Sequence, residues 1–99
     1  MKIVENREGV NLILQLKGRM DTTTAPKLQK VIDSGLDGIL HLEIDMEGLE
    51  YVSSAGLRVL LAATKKMKAA EGSMIVTGVN EDIREVFRIT GFDGVLDVR

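Results

Sequence analysis

The chain has 99 residues, 44% of them hydrophobic and 28% charged, with a formal net charge of -2 and no cysteine. That size and apolar content suit one core in one domain, 1–99, rather than a disordered chain. The small negative charge excludes a broad basic field for nucleic acid, and the missing cysteine excludes disulfides, thiolate zinc sites and cysteine nucleophiles. The longest apolar runs are only a few residues and the N-terminal stretch lacks an apolar signal core, so a cytoplasmic protein with no membrane partner is expected.

Ile3 and Val4 read as a short strand, with a turn at Glu8-Gly9. Val10, Leu12, Leu14 and Leu16 then alternate with polar neighbours, the period of a strand with one buried face. Gly18 breaks that pattern. Thr22-Thr23-Thr24 followed by Ala25-Pro26 places hydroxyl caps and a proline in a first helical turn, with Leu28, Val31, Ile32 and Leu36 at helical spacing and Gly35 and Gly38 at the exit. A second long strand follows, marked by Leu40, Leu42, Ile44 and Met46.

The clearest helix carries Leu57, Leu60, Leu61, Thr64 and Met67 as its apolar stripe. Arg58, Lys65, Lys66 and Lys68 face water, the last of them near the negative end of the helix dipole. After Gly72, Met74-Ile75-Val76-Thr77 reads as a strand. Asn80 caps a third helix with Glu81 and Asp82 in its first turn and Ile83, Val86 and Phe87 on its apolar face, and Val95–Val98 reads as a terminal strand. Strand and helix alternate without long linkers, which predicts an α/β fold: a mixed, mostly parallel sheet of four to five strands with helices packed against it.

Two adjacent serines, Ser53 and Ser54, stand where an apolar strand gives way to the clearest helix. With the helix beginning near Ser54, that side chain is placed to cap it. The first-turn N–H groups and the helix dipole favour an anion there. Gly56 offers no side chain to obstruct a partner, and Arg58, one turn on, can reach back toward a phosphate on Ser54.

The segment Asp45, Leu49, Tyr51-Val52 and Ser53-Ser54-Ala55-Gly56-Leu57 resembles the signature of the STAS domain, specifically of the bacterial anti-sigma factor antagonists. The similarity extends to Gly18-Arg19-Met20-Asp21 and Ala25-Pro26 upstream, and to Val86-Phe87 and Thr90-Gly91 downstream, so it covers nearly the whole chain. The resemblance implies that Ser54 is the phosphoacceptor and Asp21 the acidic loop residue beside it. Leu57 matches a first-turn apolar position of the partner-binding face, on whose rim Thr22 and Thr23 also lie. Ser53 replaces the family's usual aspartate and Ala55 its usual serine or threonine, so Ser53 is a second, weaker candidate for modification. The implied partners are an anti-sigma factor with a serine-kinase fold, which binds the unmodified form and phosphorylates it, and a Ser/Thr phosphatase that reverses the step. No cofactor and no catalytic residue is implied, and a monomer is expected.

Three other readings stand beside this one. A STAS subunit of a signalling scaffold or a transporter-associated complex would work without phosphorylation. His41, Glu43 and Asp45 alternate on one strand and share a face, which suits metal ligands but more often marks an exposed polar face. A hydrolase using Ser54 with His41 as base lacks the Gly-x-Ser-x-Gly elbow, and no P-loop is present.

Overall fold

A computed structural model describes all residues 1–99. The chain runs β1 (Lys2–Glu8), β2 (Asn11–Met20), α1 (Ala25–Gly35), β3 (His41–Val52), α2 (Ser54–Ala69), β4 (Ser73–Thr77) and α3 (Glu81–Thr90), then a 3₁₀ turn at Phe92–Gly94. The four strands form one sheet in the order β1-β2-β3-β4, the first pair antiparallel and the other two parallel. This is the expected α/β architecture. The β1–β2 hairpin pairs Glu8 with Asn11 across Gly9-Val10, and Gly9 takes the positive φ of 61° that a two-residue hairpin asks of its first turn residue. Two helical crossovers are what make the remaining pairs parallel.

Alternation along the strands sends Leu12, Leu14 and Leu16 of β2, Leu42, Ile44 and Met46 of β3, and Met74 and Val76 of β4 to one face. The helices cover that face with Ala25, Leu28 and Ile32 of α1, Leu57, Val59, Leu60, Ala63 and Met67 of α2, and Ile83 and Phe87 of α3, all in one continuous core. The α2 stripe differs from the expected one at its edge, because Val59 and Ala63 are buried whereas Leu61 is only half-buried. Leu40 lies outside β3 with 41% of its surface exposed, and its N–H donates to the Val10 carbonyl at the strand entry. The C-terminal strand contracts to a single parallel bridge, Val76 with Val98, held by Val76 N–H to the Asp97 carbonyl and Arg99 N–H to the Val76 carbonyl. Lys66 is not merely solvated: its ammonium donates to the carbonyls of Ile32 and Asp33 at 3.2 Å each, closing the negative end of α1. Asn80 caps α3 as expected, accepting from the Ile83 N–H at 2.8 Å, and its amide also donates to the Leu49 carbonyl.

The register of β2 and β3 is not uniform. Asn11 pairs with His41 and Gln15 with Asp45, but Lys17 pairs with Gly48 and Arg19 with Tyr51, so β3 accommodates two extra residues against β2. Each extra residue inverts the facing of those beyond it. This returns Leu49 and then Val52 to the core after the simple alternation through Met46 has ended.

α2 begins directly after β3 and sits tightly on the sheet. A Cβ on buried Gly56 would lie 2.8 Å from a methyl of Val52 and 2.9 Å from Cγ of Met20. Gly56 thus serves a close approach inside the protein, not access for an outside partner. Gly56→Ala gains helix propensity but forces two core side chains apart, and we expect a net loss of about 1–2 kcal/mol, read as a thermal midpoint lowered by roughly 4–16 °C. An unchanged midpoint would show that the contact is soft.

Candidate functional site

The C-terminal ends of β2 and β3 pair at Met20 and Val52, so the next residue along each, Asp21 and Ser53, emerges at the same rim. Ser53 N–H donates to the Met20 carbonyl at 2.8 Å, tying the two exits together. Two helices start here, α1 after Thr24 and α2 after Ser53. Both point the positive ends of their dipoles at this rim.

The two serines exchange the parts expected of them. Ser53 is the N-cap, in extended backbone with its hydroxyl accepting from Gly56 N–H at 3.4 Å, and Ser54 is the first helical residue, exposed to solvent. The helix thus starts one residue earlier than cap chemistry at Ser54 requires. Ser53 is occupied in holding the helix, while the Ser54 hydroxyl is free at the surface.

The turn leading into α1 is held by Asp21 rather than by the threonine hydroxyls acting as caps. Its carboxylate oxygen Oδ1 accepts the N–H groups of Thr23 at 2.9 Å and Thr24 at 3.1 Å and the Thr23 hydroxyl at 2.7 Å. Thr24, the N-cap residue, makes no side-chain capping bond. Its hydroxyl instead accepts from Asp21 N–H and donates to the Arg19 carbonyl at 2.7 Å. These donors, the Thr23 hydroxyl foremost, hold the Asp21 carboxyl down at about 2, so it is an anion throughout the neutral range.

Thr22, Ala25, Pro26, Ala55, Arg58 and Val59 line a shallow depression of about 280 Å³ between α1 and α2. Of the residues singled out from sequence, Asp21, Thr22, Thr23, Ser53, Ser54 and Arg58 lie at this rim with side chains at least partly exposed. Gly56 and Leu57 do not join them at the surface. Both are buried, and Met20, read as an adaptable loop residue, is wholly enclosed beneath them. The strong apolar signal of these positions belongs to the core.

Arg19 and Tyr51 form the pair before Met20 and Val52, so their exposed side chains lie on the sheet face opposite the helices, and neither was picked out from sequence as a site residue. The Arg19 guanidinium stacks 4.4 Å from the centroid of the Tyr51 ring, across paired positions of β2 and β3. Sequence spacing hides this pair, because only the shifted register aligns residue 19 with residue 51.

His41, Glu43 and Asp45 lie on the sheet face opposite the helices, each with its own partner. His41 Nδ1 is 2.9 Å from the Ser73 hydroxyl, Glu43 accepts from the Thr77 hydroxyl at 3.0 Å, and Asp45 accepts the Glu47 N–H. No group of three such residues is placed to hold a metal ion. His41 opens β3 and Ser54 follows its far end, so the length of a twelve-residue strand separates them and rules out direct acid–base pairing. No helix is long and apolar enough to cross a membrane.

A four-stranded mixed sheet with its helices on one face, and a serine-bearing helix start at the rim, define a small α/β domain of one layer of helices on one sheet. The chain belongs to the STAS domain family, whose model matches residues 1–99. It is 31% identical over 99 residues to BtrV of Bordetella bronchiseptica, designated a candidate anti-sigma factor antagonist, covering 99% of this chain and 85% of that one. The anti-sigma-B factor antagonist of Listeria monocytogenes is 24% identical over 98 residues, covering 97% of this chain and 85% of its own. The fold matches the Bacillus protein SpoIIAA in its unphosphorylated form (TM-score 0.79, 15% identity, 99% and 87% of the two chains) and in its phosphorylated form (0.69, 17%, 99% and 91%).

The division between the serines is testable by stability alone. Ser53→Ala should cost about 0.5–1 kcal/mol in urea unfolding, the lower part of the cap range given the long bond, whereas Ser54→Ala should stay within about 0.5 kcal/mol. The reverse ranking would move the cap to Ser54.

The Asp21 carboxyl is depressed in the folded state, so its contribution to stability is fully present above its ordinary value near 4 and is lost as pH falls toward 2. Carboxyl-carbon NMR should give a midpoint near 2 that rises in Thr23→Val. A normal midpoint in the unaltered protein would remove the hydrogen-bonded turn from solution.

Proposed function

We propose that this protein is an anti-sigma factor antagonist switched by phosphorylation of Ser54. Unmodified, it binds an anti-sigma factor with a serine-kinase fold through the rim formed by the starts of α1 and α2. That kinase phosphorylates Ser54 with ATP, the modified form dissociates, and a Ser/Thr phosphatase restores binding. The chain is a substrate and a binding module, and it performs no chemistry itself.

The observation that carries this reading is the exposed Ser54 hydroxyl at the first position of α2, beside a neighbour already occupied as the cap. A phosphate there adds roughly -1.5 to -2 charges at neutral pH. The helix N-terminus tolerates that charge, so the fold persists. The bound complex tolerates it less well. The rim already carries the Asp21 anion, and a phosphate closed into an interface loses hydration and meets repulsion. A thousandfold loss of affinity needs only about 4 kcal/mol. Ser53 is the poorer acceptor, because modifying it would remove the cap of α2. Gly56 and Leu57 act through the placement of the helix, and Asp21, Thr22, Thr23, Ser53 and Arg58 form the contact surface around the acceptor. The designations of the relatives and the existence of SpoIIAA in both phosphorylation states are consistent with this cycle.

The test is a pull-down from native lysate with the unaltered chain, Ser54→Ala and Ser54→Asp as baits. A kinase-fold protein should be retained by the first two and lost by the third, and the purified kinase should label the unaltered chain but not Ser54→Ala. One partner held equally by all three would reassign the domain as a phosphorylation-independent subunit of a larger assembly.

A further inference from the structure

Arg58 is the only charged residue in the first two turns of α2, and the first turn holds no acid to pair with it. Its neighbours on the helix surface, three and four residues away, are Ser54, Ala55, Leu61 and Ala62. Of these only Ser54 becomes anionic, and only when phosphorylated. α3 is built the other way. Glu81 and Asp82 occupy its first turn, and Glu85 pairs with Arg88 one turn further on. Arg58 takes part in neither that ion pair nor the one between Arg99 and Asp97. Arg7, Arg19 and Arg84 also stand outside both pairs, but none of them shares a helix with Ser54. At about 3.6 residues per turn, Arg58 lies between Ser54 and Ala55 around the circumference of α2. Its side chain lines the depression between α1 and α2, with Thr22 and Gln29 as polar neighbours and no other charged residue.

We propose that Arg58 is the internal receptor of the Ser54 phosphate. In the phosphorylated chain its guanidinium turns from the depression to the phosphate and holds it through paired hydrogen bonds. The inference rests on the reading of Ser54 as the phosphorylated residue and names how the chain takes up the modification. An anion four residues N-terminal to a cation is the favourable order for such a pair, because it runs with the helix dipole. Helical side chains also lean toward the N-terminus, which carries the guanidinium in the direction of Ser54. The phosphate therefore gains a counter-charge within its own helix. The depression loses its one cation at the same moment, so phosphorylation withdraws a contact from the surface as well as adding an anion to it.

Phosphoserine built into position 54 by chemical synthesis makes the test independent of any kinase. The second ionisation of the phosphate, ordinarily at about pH 6, is followed by phosphorus NMR in the parent, Arg58→Lys and Arg58→Gln chains. The helix start and the Asp21 anion act on the phosphate in all three, so the differences between them isolate residue 58. At low salt the midpoint should lie about half a pH unit lower in the parent than in Arg58→Gln, with Arg58→Lys between them. Raising the salt should shrink that difference. Side-chain signals of Thr22 and Gln29 should shift on phosphorylation of the parent and stay in place in Arg58→Gln. Thermal melts of the unphosphorylated chains should coincide, since residue 58 is exposed. Equal phosphate midpoints in the parent and Arg58→Gln overturn the inference. A lowered midpoint with Thr22 and Gln29 unmoved overturns the withdrawal of Arg58 from the depression. The switch itself fails by a different result, a partner that binds Ser54→Ala and Ser54→Asp alike, and the phosphate titration does not depend on it.

Discussion

The first turn of α2 lies almost in contact with the sheet, because Gly56 leaves no side chain between the helix and the buried Met20 and Val52. Much else follows from that contact. Met20 and Val52 are paired across β2 and β3, and Ser53 N–H reaches the Met20 carbonyl from the strand exit. The helix therefore cannot slide or lift without breaking a backbone hydrogen bond and uncovering side chains each worth about 1.5–3 kcal/mol of burial. The position and exposure of Ser54 are consequences of the packing below it. A side chain on such an element is presented at a constant height.

Electrostatics at the rim are similarly constrained. Asp21 is ionised because the turn that starts α1 supplies it with donors, so the same carboxylate organises the local backbone and charges the surface. The serine pair divides structural and exposed roles between neighbours: one hydroxyl satisfies a helix N–H and the other is free. Where the usual family aspartate is replaced by Ser53, the cap is still supplied, since serine and aspartate are comparable N-cap residues. What the replacement removes is a fixed negative charge next to Ser54, and that lowers the repulsion a phosphate would meet there.

Apolar periodicity, the cap at Asn80 and the turn at Gly9 made the element order and the α/β class legible without coordinates, because each depends on residues close in sequence. The serine-rich junction, the Asp21 loop and Arg58 were legible for the same reason, supported by the family resemblance. Less local features were not. Periodicity cannot register two extra residues in β3, so it follows the strand to Met46 and misses the return of Leu49 and Val52 to the core. It marks Gly56 and Leu57 as special without saying that their importance faces inward. The contribution of Lys66 to the end of α1 spans more than thirty residues and has no local signature.

The sequence by itself determined the class of fold, the family and the segment that carries the serine pair, because these rest on local patterning and a contiguous motif. Only the tertiary structure decided which serine caps and which is free, which motif residues reach the surface, and that Arg19 meets Tyr51. Those outcomes depend on strand register and on the depth at which a helix packs, and both are set by contacts between residues far apart in the chain.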